Sequence, residues 1–216
     1  MKIAIDGPAG SGKSTIAKIL AEKLGYRYLD TGALYRGVTF LLLTKGLDPF
    51  KEQEVTALLE GAVFTFDDEG LVLDGRSIES EIRKNRISNQ VSDVAAYPYI
   101  RRKLTDIERK IAKQTANVIL DGRDIGTVVL PDAEVKIFLT ASPEVRGHRR
   151  YNQLLDRGEE VDLNLLIEEI RERDQKDISR TTDPLKKAED AWEIDTDSLG
   201  IPEVVDNILE IVNNTL

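Results

Sequence analysis

The sequence contains no cysteine. Disulfides and thiolate metal sites are therefore excluded. Its single histidine, His148, gives no basis for a histidine-built zinc centre and reads as a solvated or packed side chain. No apolar run is long enough to span a membrane, and no apolar signal segment precedes the first predicted strand, so a cytoplasmic protein is expected. Positive charge is not in excess: 39 Asp and Glu against 30 Lys and Arg give a formal net charge of -9, which argues against a nucleic-acid polymer as partner. A locally basic nucleotide site is compatible with that balance, because phosphates respond to nearby arginines more than to distant charge. What remains is a 216-residue chain, 41% hydrophobic and 32% charged, sufficient for one domain with insertions or a large and a small domain.

The most informative stretch is Gly7-Pro8-Ala9-Gly10-Ser11-Gly12-Lys13-Ser14, followed by Thr15. It matches the phosphate-cradling pattern G-x-x-x-x-G-K-[ST] at every required position. It follows the apolar run Ile3-Ala4-Ile5 and precedes a helical pattern, so the strand-loop-helix context is present. Glycines let the backbone aim N–H groups at phosphate oxygens, and the helix that follows turns its positive end to the same anion. Lys13 can reach the outer phosphates, and the Ser14 hydroxyl can join the shell of a Mg²⁺ ion held mainly by nucleotide phosphates. Asp6 and Asp121 are further carboxylate candidates for that shell, although Asp6 can instead brace the loop.

Along the chain, residues 2–6 predict a strand, and a helix from Lys13 stops at Gly25. Residues 26–30 predict a second strand. Helices follow over 33–44, ended by Gly46, and over 51–60. Residues 63–78 break the pattern with three strand-like runs and turns at Asp67–Gly70 and Asp74-Gly75, a small antiparallel insertion. Asp67-x-x-Gly70 also matches a GTPase metal motif by letter, but a hairpin tip explains it better. Pro98 opens a long helix, and Val118-Ile119-Leu120 reads as a buried strand ending at Asp121-Gly122-Arg123-Asp124. A strand over 135–139, a helix capped by Ser142 and Pro143, a mobile connection over 151–160, a helix over 163–177, a strand over 191–194 and a closing helix complete the chain. Strands alternating with helices imply a parallel sheet covered on both faces, with sites beyond the strand carboxyl ends. The Gly-rich loop, Asp30-Thr31-Gly32 and Asp121–Asp124 all fall at such ends.

Arginines accompany these clusters: Arg36, Arg101, Arg123, Arg146, Arg149, Arg150, Arg157, Arg171, Arg173 and Arg180. Phosphoryl transfer needs positive groups around the moving phosphoryl, and the guanidinium fork binds phosphate at two points. Arg36 and Arg123, at strand ends, are expected to serve this chemistry. Arg171, set among Glu168, Glu169 and Glu172, is expected to form surface ion pairs.

Four motifs together resemble the bacterial cytidylate kinase family of the nucleoside monophosphate kinases. They are residues 5–14; Leu29-Asp30-Thr31-Gly32-Ala33-Leu34-Tyr35-Arg36; Asp121-Gly122-Arg123-Asp124-Ile125-Gly126-Thr127-Val128-Val129; and Glu172-Arg173-Asp174 with Arg180 downstream. The resemblance covers nearly the whole chain. It implies an α/β P-loop kinase three-layer fold with a five-stranded parallel sheet, a small antiparallel insertion and a short LID. The implied CORE is about residues 1–35, 100–148 and 165–216, the monophosphate-binding insertion about 36–99, and the LID about 149–164. The implied reaction is ATP with CMP or dCMP, giving ADP with CDP or dCDP. A monomer is expected, since the sequence shows no exposed apolar stripe that demands a partner. Implied ATP contacts are residues 7–15, Arg149 and Arg157, with Mg²⁺ at Ser14. Implied CMP contacts are Thr31, Arg101, Asp124 and Arg180 for the base, Ser92, Arg173 and Asp177 for the sugar, and Arg36 and Arg123 for the phosphate, these two with Lys13 being catalytic. The family often has Ser at the position of Thr31, where the hydroxyl is kept and a methyl added. Two other readings use the same loop: another small-molecule P-loop kinase, acting on shikimate or dephospho-coenzyme A, and a GTP-dependent switch, which would want an Asn-Lys-x-Asp signature that does not occur.

Overall fold

The computed structural model describes residues 1–67, 69–156 and 158–215. Its elements, in chain order, are β1 (Lys2–Asp6), α1 (Lys13–Leu24), β2 (Arg27–Asp30), α2 (Thr31–Lys45), α3 (Glu52–Gly61), β3 (Phe64–Phe66), β4 (Leu71–Leu73), β5 (Arg76–Ser77), α4 (Glu79–Ile82), α5 (Asn85–Ser88), α6 (Val91–Val94), α7 (Pro98–Lys113), β6 (Val118–Gly122), a π-helical turn (Ile125–Val129), β7 (Val135–Thr140), α8 (Pro143–Leu155), α9 (Leu163–Ser179), β8 (Trp192–Asp195) and α10 (Ile201–Thr215). They form two compact units, Met1–Tyr28 with Ala112–Leu216, and Leu29–Ile111.

The first unit is built on the predicted parallel sheet, with strand order β2-β6-β1-β7-β8. β1 pairs in parallel with β6 and β7, so that Asp6 lies opposite Gly122 on one side and Phe138 on the other. Ile3, Ala4 and Ile5 are all fully buried, so both faces of the central strand are covered, as a continuous apolar run requires. On one face Ile3, Ile5, Ile119 and Ile137 pack with Ile16 and Leu20 of α1 and with Val204, Val205 and Ile208 of α10. α8 and α9 pack closely at Gly147, where a Cβ would meet Ile167 Cγ1 at 2.4 Å. The predicted cap of α8 forms, Ser142 Oγ accepting from the Val145 amide at 3.3 Å. α8 then continues to Leu155, so residues 151–155 are helical and not the expected loose connection. The buried Leu154 anchors that last turn, which local composition does not reveal. The π-helical turn after Asp124 is also unforeseen.

In the second unit α2 begins two residues before the expected Ala33. Asp30 is its N-cap and accepts from the Ala33 amide at 3.1 Å. The insertion is a three-stranded antiparallel sheet, β3-β4-β5. Asp67 closes its first turn by accepting from the Glu69 and Gly70 amides, which makes the Asp67-x-x-Gly70 letters a hairpin tip. The short helices α4, α5 and α6 were not legible, since one-turn helices have no periodicity to read. They pack on α2 and bury Ile82, Ile87, Val91 and Val94. Among the described residues no helix is long and apolar enough to cross a membrane.

Candidate active site

The chain leaves β1 at Asp6 and turns through residues 7–14 into α1. Gly7 has φ 149°, and a Cβ there would lie 2.0 Å from the Leu139 carbonyl oxygen, so only glycine fits. Gly12, at φ 94°, occupies the N-cap of α1 and contributes no capping side chain. The first amides of α1 are thus presented by backbone alone, the arrangement that binds phosphate. Lys13 is buried and donates from Nζ to the Pro8 carbonyl at 2.7 Å. Burial, and then the neighbouring Arg123, push its ammonium well below the ordinary lysine value. An anion beside it would favour the charged form again. Ser14 Oγ donates to Asp121 Oδ2 at 2.9 Å, and Tyr28 OH donates to Oδ1 of the same carboxylate at 2.7 Å. Thr15 is exposed.

Beyond β6 stands a cluster of charge. Arg123 Nε donates to Asp177 Oδ2 at 2.9 Å, and its Nη1 to the Gly122 carbonyl at 3.2 Å. Burial opposes ionisation of Asp177, but Arg123 and then Arg173 outweigh it and hold the carboxyl below its ordinary value. Arg180 lies 3.7 Å from Asp124 Oδ1 and 4.0 Å from Asp177 Oδ1, and is itself anchored by Nε to the Asp183 carbonyl. Burial and the nearby Arg123 lower Arg173 to about 10, and its Nε finds no hydrogen-bond partner among the described residues. Arg123, Arg173 and Arg180 thus converge around Asp124 and Asp177, with Asp121 and Asp174 also close to Arg123, and three guanidinium groups together can hold an anionic ligand.

The remaining candidates of this unit sort differently. Asp6 does not brace its own loop: Oδ1 and Oδ2 accept from the Ile125 and Gly126 amides at 2.8 and 2.7 Å. Burial outweighs those two bonds and raises its pKa to about 7. Arg149 donates to Thr196 Oγ1 at 3.1 Å and to the Thr196 carbonyl at 2.6 Å. Arg157 lies outside the described residues. His148 is exposed on α8, and Arg171 pairs with Glu168 and Glu144 as a surface residue should.

In the second unit α2 carries Thr31, buried at its first turn, and Arg36 one turn further on. Arg36 Nη1 donates to Ser88 Oγ at 2.7 Å and to the Ile82 carbonyl at 3.3 Å. Arg101, only 1% exposed, donates to the Ala95 carbonyl at 3.2 Å and lies 5.2 Å from the centre of the Tyr35 ring. A cation over an aromatic face is stabilised and kept in one orientation. Ser92 is half-buried on α6.

The family model described as cytidylate kinase matches residues 3–214. The chain belongs to the cytidylate kinase family. Proteins named cytidylate kinase from Bacillus licheniformis and Streptococcus mutans are similar to it at 51% and 48% identity, covering 98% and 100% of this chain and 95% and 97% of their own. A shikimate kinase structure from Bacteroides thetaiotaomicron has a TM-score of 0.51 at 15% identity, covering 99% of this chain and 98% of that one, which speaks to the fold alone.

Within this cytidylate kinase family member, two residues that sequence reasoning passed over hold candidate residues, and a third, Arg146, was named there without a role. Tyr28 holds Asp121, and Ser88 holds Arg36. Arg146 is 2% exposed; it donates to the Ala141 carbonyl, to the Ala9 carbonyl of the phosphate loop at 2.9 Å, and through both Nη atoms to Asp174. Its partners lie 137 residues before it and 28 residues after it, so no local pattern separates it from Arg149 or Arg150.

Proposed function

We infer that this chain transfers the γ-phosphoryl group of ATP to CMP or dCMP, giving ADP and CDP or dCDP. The observation that carries the reading is the cytidylate kinase match over residues 3–214, a span that includes the phosphate loop, Arg123 and Asp124, and Arg173 to Arg180. A different small-molecule P-loop kinase is not favoured, because the full-length relatives near 50% identity are named cytidylate kinases.

An oxygen of the acceptor phosphate attacks the γ-phosphorus in line, the bond to the β–γ bridging oxygen breaks, and ADP leaves. Residues 7–15 hold the donor phosphates, with Lys13 neutralising charge that develops at the bridge. Arg123, oriented by Asp177, and Arg173 supply further positive charge in the first unit, and Arg36 supplies it in the second. Arg149 and Arg157 are the donor contacts assigned to a short LID of about residues 149–164. Asp124 and Thr31 accept from the cytosine amino group, Arg101 and Arg180 serve the base's remaining edge, and Ser92, Arg173 and Asp177 hold the sugar. Uracil carries a carbonyl where cytosine carries the amino group and would face a carboxylate with no donor.

The residues present fit a Mg²⁺ ion brought by ATP. No three His, Cys, Asp or Glu side chains among the described residues are placed to share a metal, so phosphate oxygens would be its main ligands. Ser14 would join them, with Asp121 orienting the hydroxyl. When bound, the ion offsets phosphate charge. The protein is further proposed to act in the cytoplasm as a monomer, apart from membranes and nucleic-acid polymers.

A coupled ADP-release assay with CMP, dCMP, UMP, AMP, GMP and shikimate tests the reading. Turnover should be greatest with CMP or dCMP; preference for any other acceptor overturns it. Removing the Ser88 hydroxyl loosens Arg36 without touching the donor loop. Ser88→Ala should therefore raise KM for CMP by roughly threefold to tenfold, about the worth of one ordinary hydrogen bond, while KM for ATP stays unchanged. Steady-state kinetics with each substrate varied in turn would check this.

A further inference from the structure

Asp6 ends β1 directly before the phosphate loop, yet its side chain serves another segment. Its two oxygens each accept one amide, Ile125 at 2.8 Å and Gly126 at 2.7 Å. Those amides open the π-helical turn Ile125–Val129. Asp124 occupies the cap position of that turn, at φ -143° and ψ 24°, and makes no side-chain bond to it. A side-chain oxygen at this position ordinarily accepts from the open amides. Here a residue 119 positions away does so instead, and the Asp124 carboxylate faces Arg180 at 3.7 Å. The Lys136 side chain packs against the same turn. A Cβ on Gly126 would lie 3.2 Å from Lys136 Cδ and 3.4 Å from Asp6 Oδ2, and the Lys136 ammonium is fixed by the Pro131 carbonyl and Asp190.

We propose that Asp6 is a specificity-determining positioning residue: it caps the turn in place of Asp124 and so leaves the Asp124 carboxylate to select cytosine over uracil. Without it, the Ile125 and Gly126 amides lose the acceptor they have in this structure, and the turn that follows Asp124 loses its cap. The β1 strand end therefore has two tasks. Its backbone leads into the donor loop, and its side chain sets the acceptor's discrimination. The proposal rests on the reading of Asp124 as a base contact.

The test measures kcat/KM for CMP and for UMP, together with ADP affinity by calorimetry, in wild type and in Asp6→Asn, Gly126→Ala and Asp124→Ala. Asparagine keeps the shape of Asp6 but turns a donor toward one of the two amides. The CMP-to-UMP ratio of kcat/KM should fall by about tenfold, the equivalent of one hydrogen bond lost at the turn, with ADP affinity unchanged. Gly126→Ala sets a Cβ against Lys136 Cδ and Asp6 Oδ2, crowding the same cap; it should move the ratio in the same direction, and it decides the matter if Asp6→Asn does not fold. Asp124→Ala should collapse the ratio further. If Asp124→Ala collapses it while Asp6→Asn and Gly126→Ala leave it at the wild-type value, Asp6 is only structural and the proposal fails. Equal losses for CMP and UMP with weakened ADP binding would place Asp6 in the donor loop's service and overturn it too. An unchanged ratio in Asp124→Ala would instead remove the base-contact reading, and the proposal with it.

Discussion

Lys13→Ala should lower kcat by about three orders of magnitude or more while the protein still folds, because the loss of a preorganised cation at developing charge costs several kcal/mol. The structure separates the two effects. Lys13 is buried, and burial together with Arg123 disfavours its charged form in the protein without nucleotide. Folding therefore gains little from the ammonium and carries the cost of desolvating it. The Pro8 carbonyl loses one donor, a local change in a loop whose shape Gly7 and Gly12 impose. Lys13→Met, which keeps most of the volume, should have a melting temperature at or above that of wild type and be equally inactive. Single-turnover transfer with ATP and CMP, beside thermal melts, would measure both. Activity within about tenfold of wild type in either variant would remove Lys13 from the catalytic role.

The second large effect is expected at Arg123. Arg123→Lys keeps the charge but loses the planar fork, one nitrogen of which donates to Asp177 at 2.9 Å. A lysine cannot hold that carboxylate and a phosphate in the same two-point geometry. kcat/KM for CMP should fall by roughly two to three orders of magnitude in Arg123→Lys, and further in Arg123→Ala. Arg123→Ala should also be less stable by about 1–3 kcal/mol, since Asp177 then keeps only its weaker neighbours Arg173 and Arg180. Its pH dependence has a definite sign. Asp177 is held below its ordinary value of 3.8 in the folded chain, so its contribution is fully present above that pH and is lost as pH falls through the folded value. The stability gap between wild type and Arg123→Ala should narrow in acid, which denaturant titrations at neutral and acid pH would read. A gap that stays constant with pH would mean that the ion pair contributes nothing to folding.

The local part of this molecule was legible along the chain. The Ile3-Ala4-Ile5 run could only be a strand covered on both faces, and the glycines of residues 7–14 could only be a backbone-shaped anion loop. Ser142 with Pro143 announced a helix start, and residues 63–78 announced an antiparallel insertion. In each case the physical constraint acts within a few residues, through allowed φ and ψ, burial on a pleat or a cap, so the letters carry it. The family pattern extended this legibility to the identity of the reaction.

Tertiary structure decided what most of the charged side chains do. Arg146 and Arg149 look alike in the sequence; one is locked between the phosphate loop and Asp174, and the other is held by Thr196. Asp6 sits one residue before the phosphate loop yet caps a different turn, because the amides that need an acceptor are brought beside it by the pairing of β1 with β6. The short helices α4 to α6 exist because α2 offers their apolar residues a surface, not because of any repeat in their own sequence. Composition and local pattern determined that this chain builds a phosphate site at the end of a buried parallel strand. Which carboxylate caps the turn after β6 and which arginines lock the phosphate loop depended on partners 28 to 137 residues apart, because long-range packing, and not sequence adjacency, sets the distances over which charges and hydrogen bonds act.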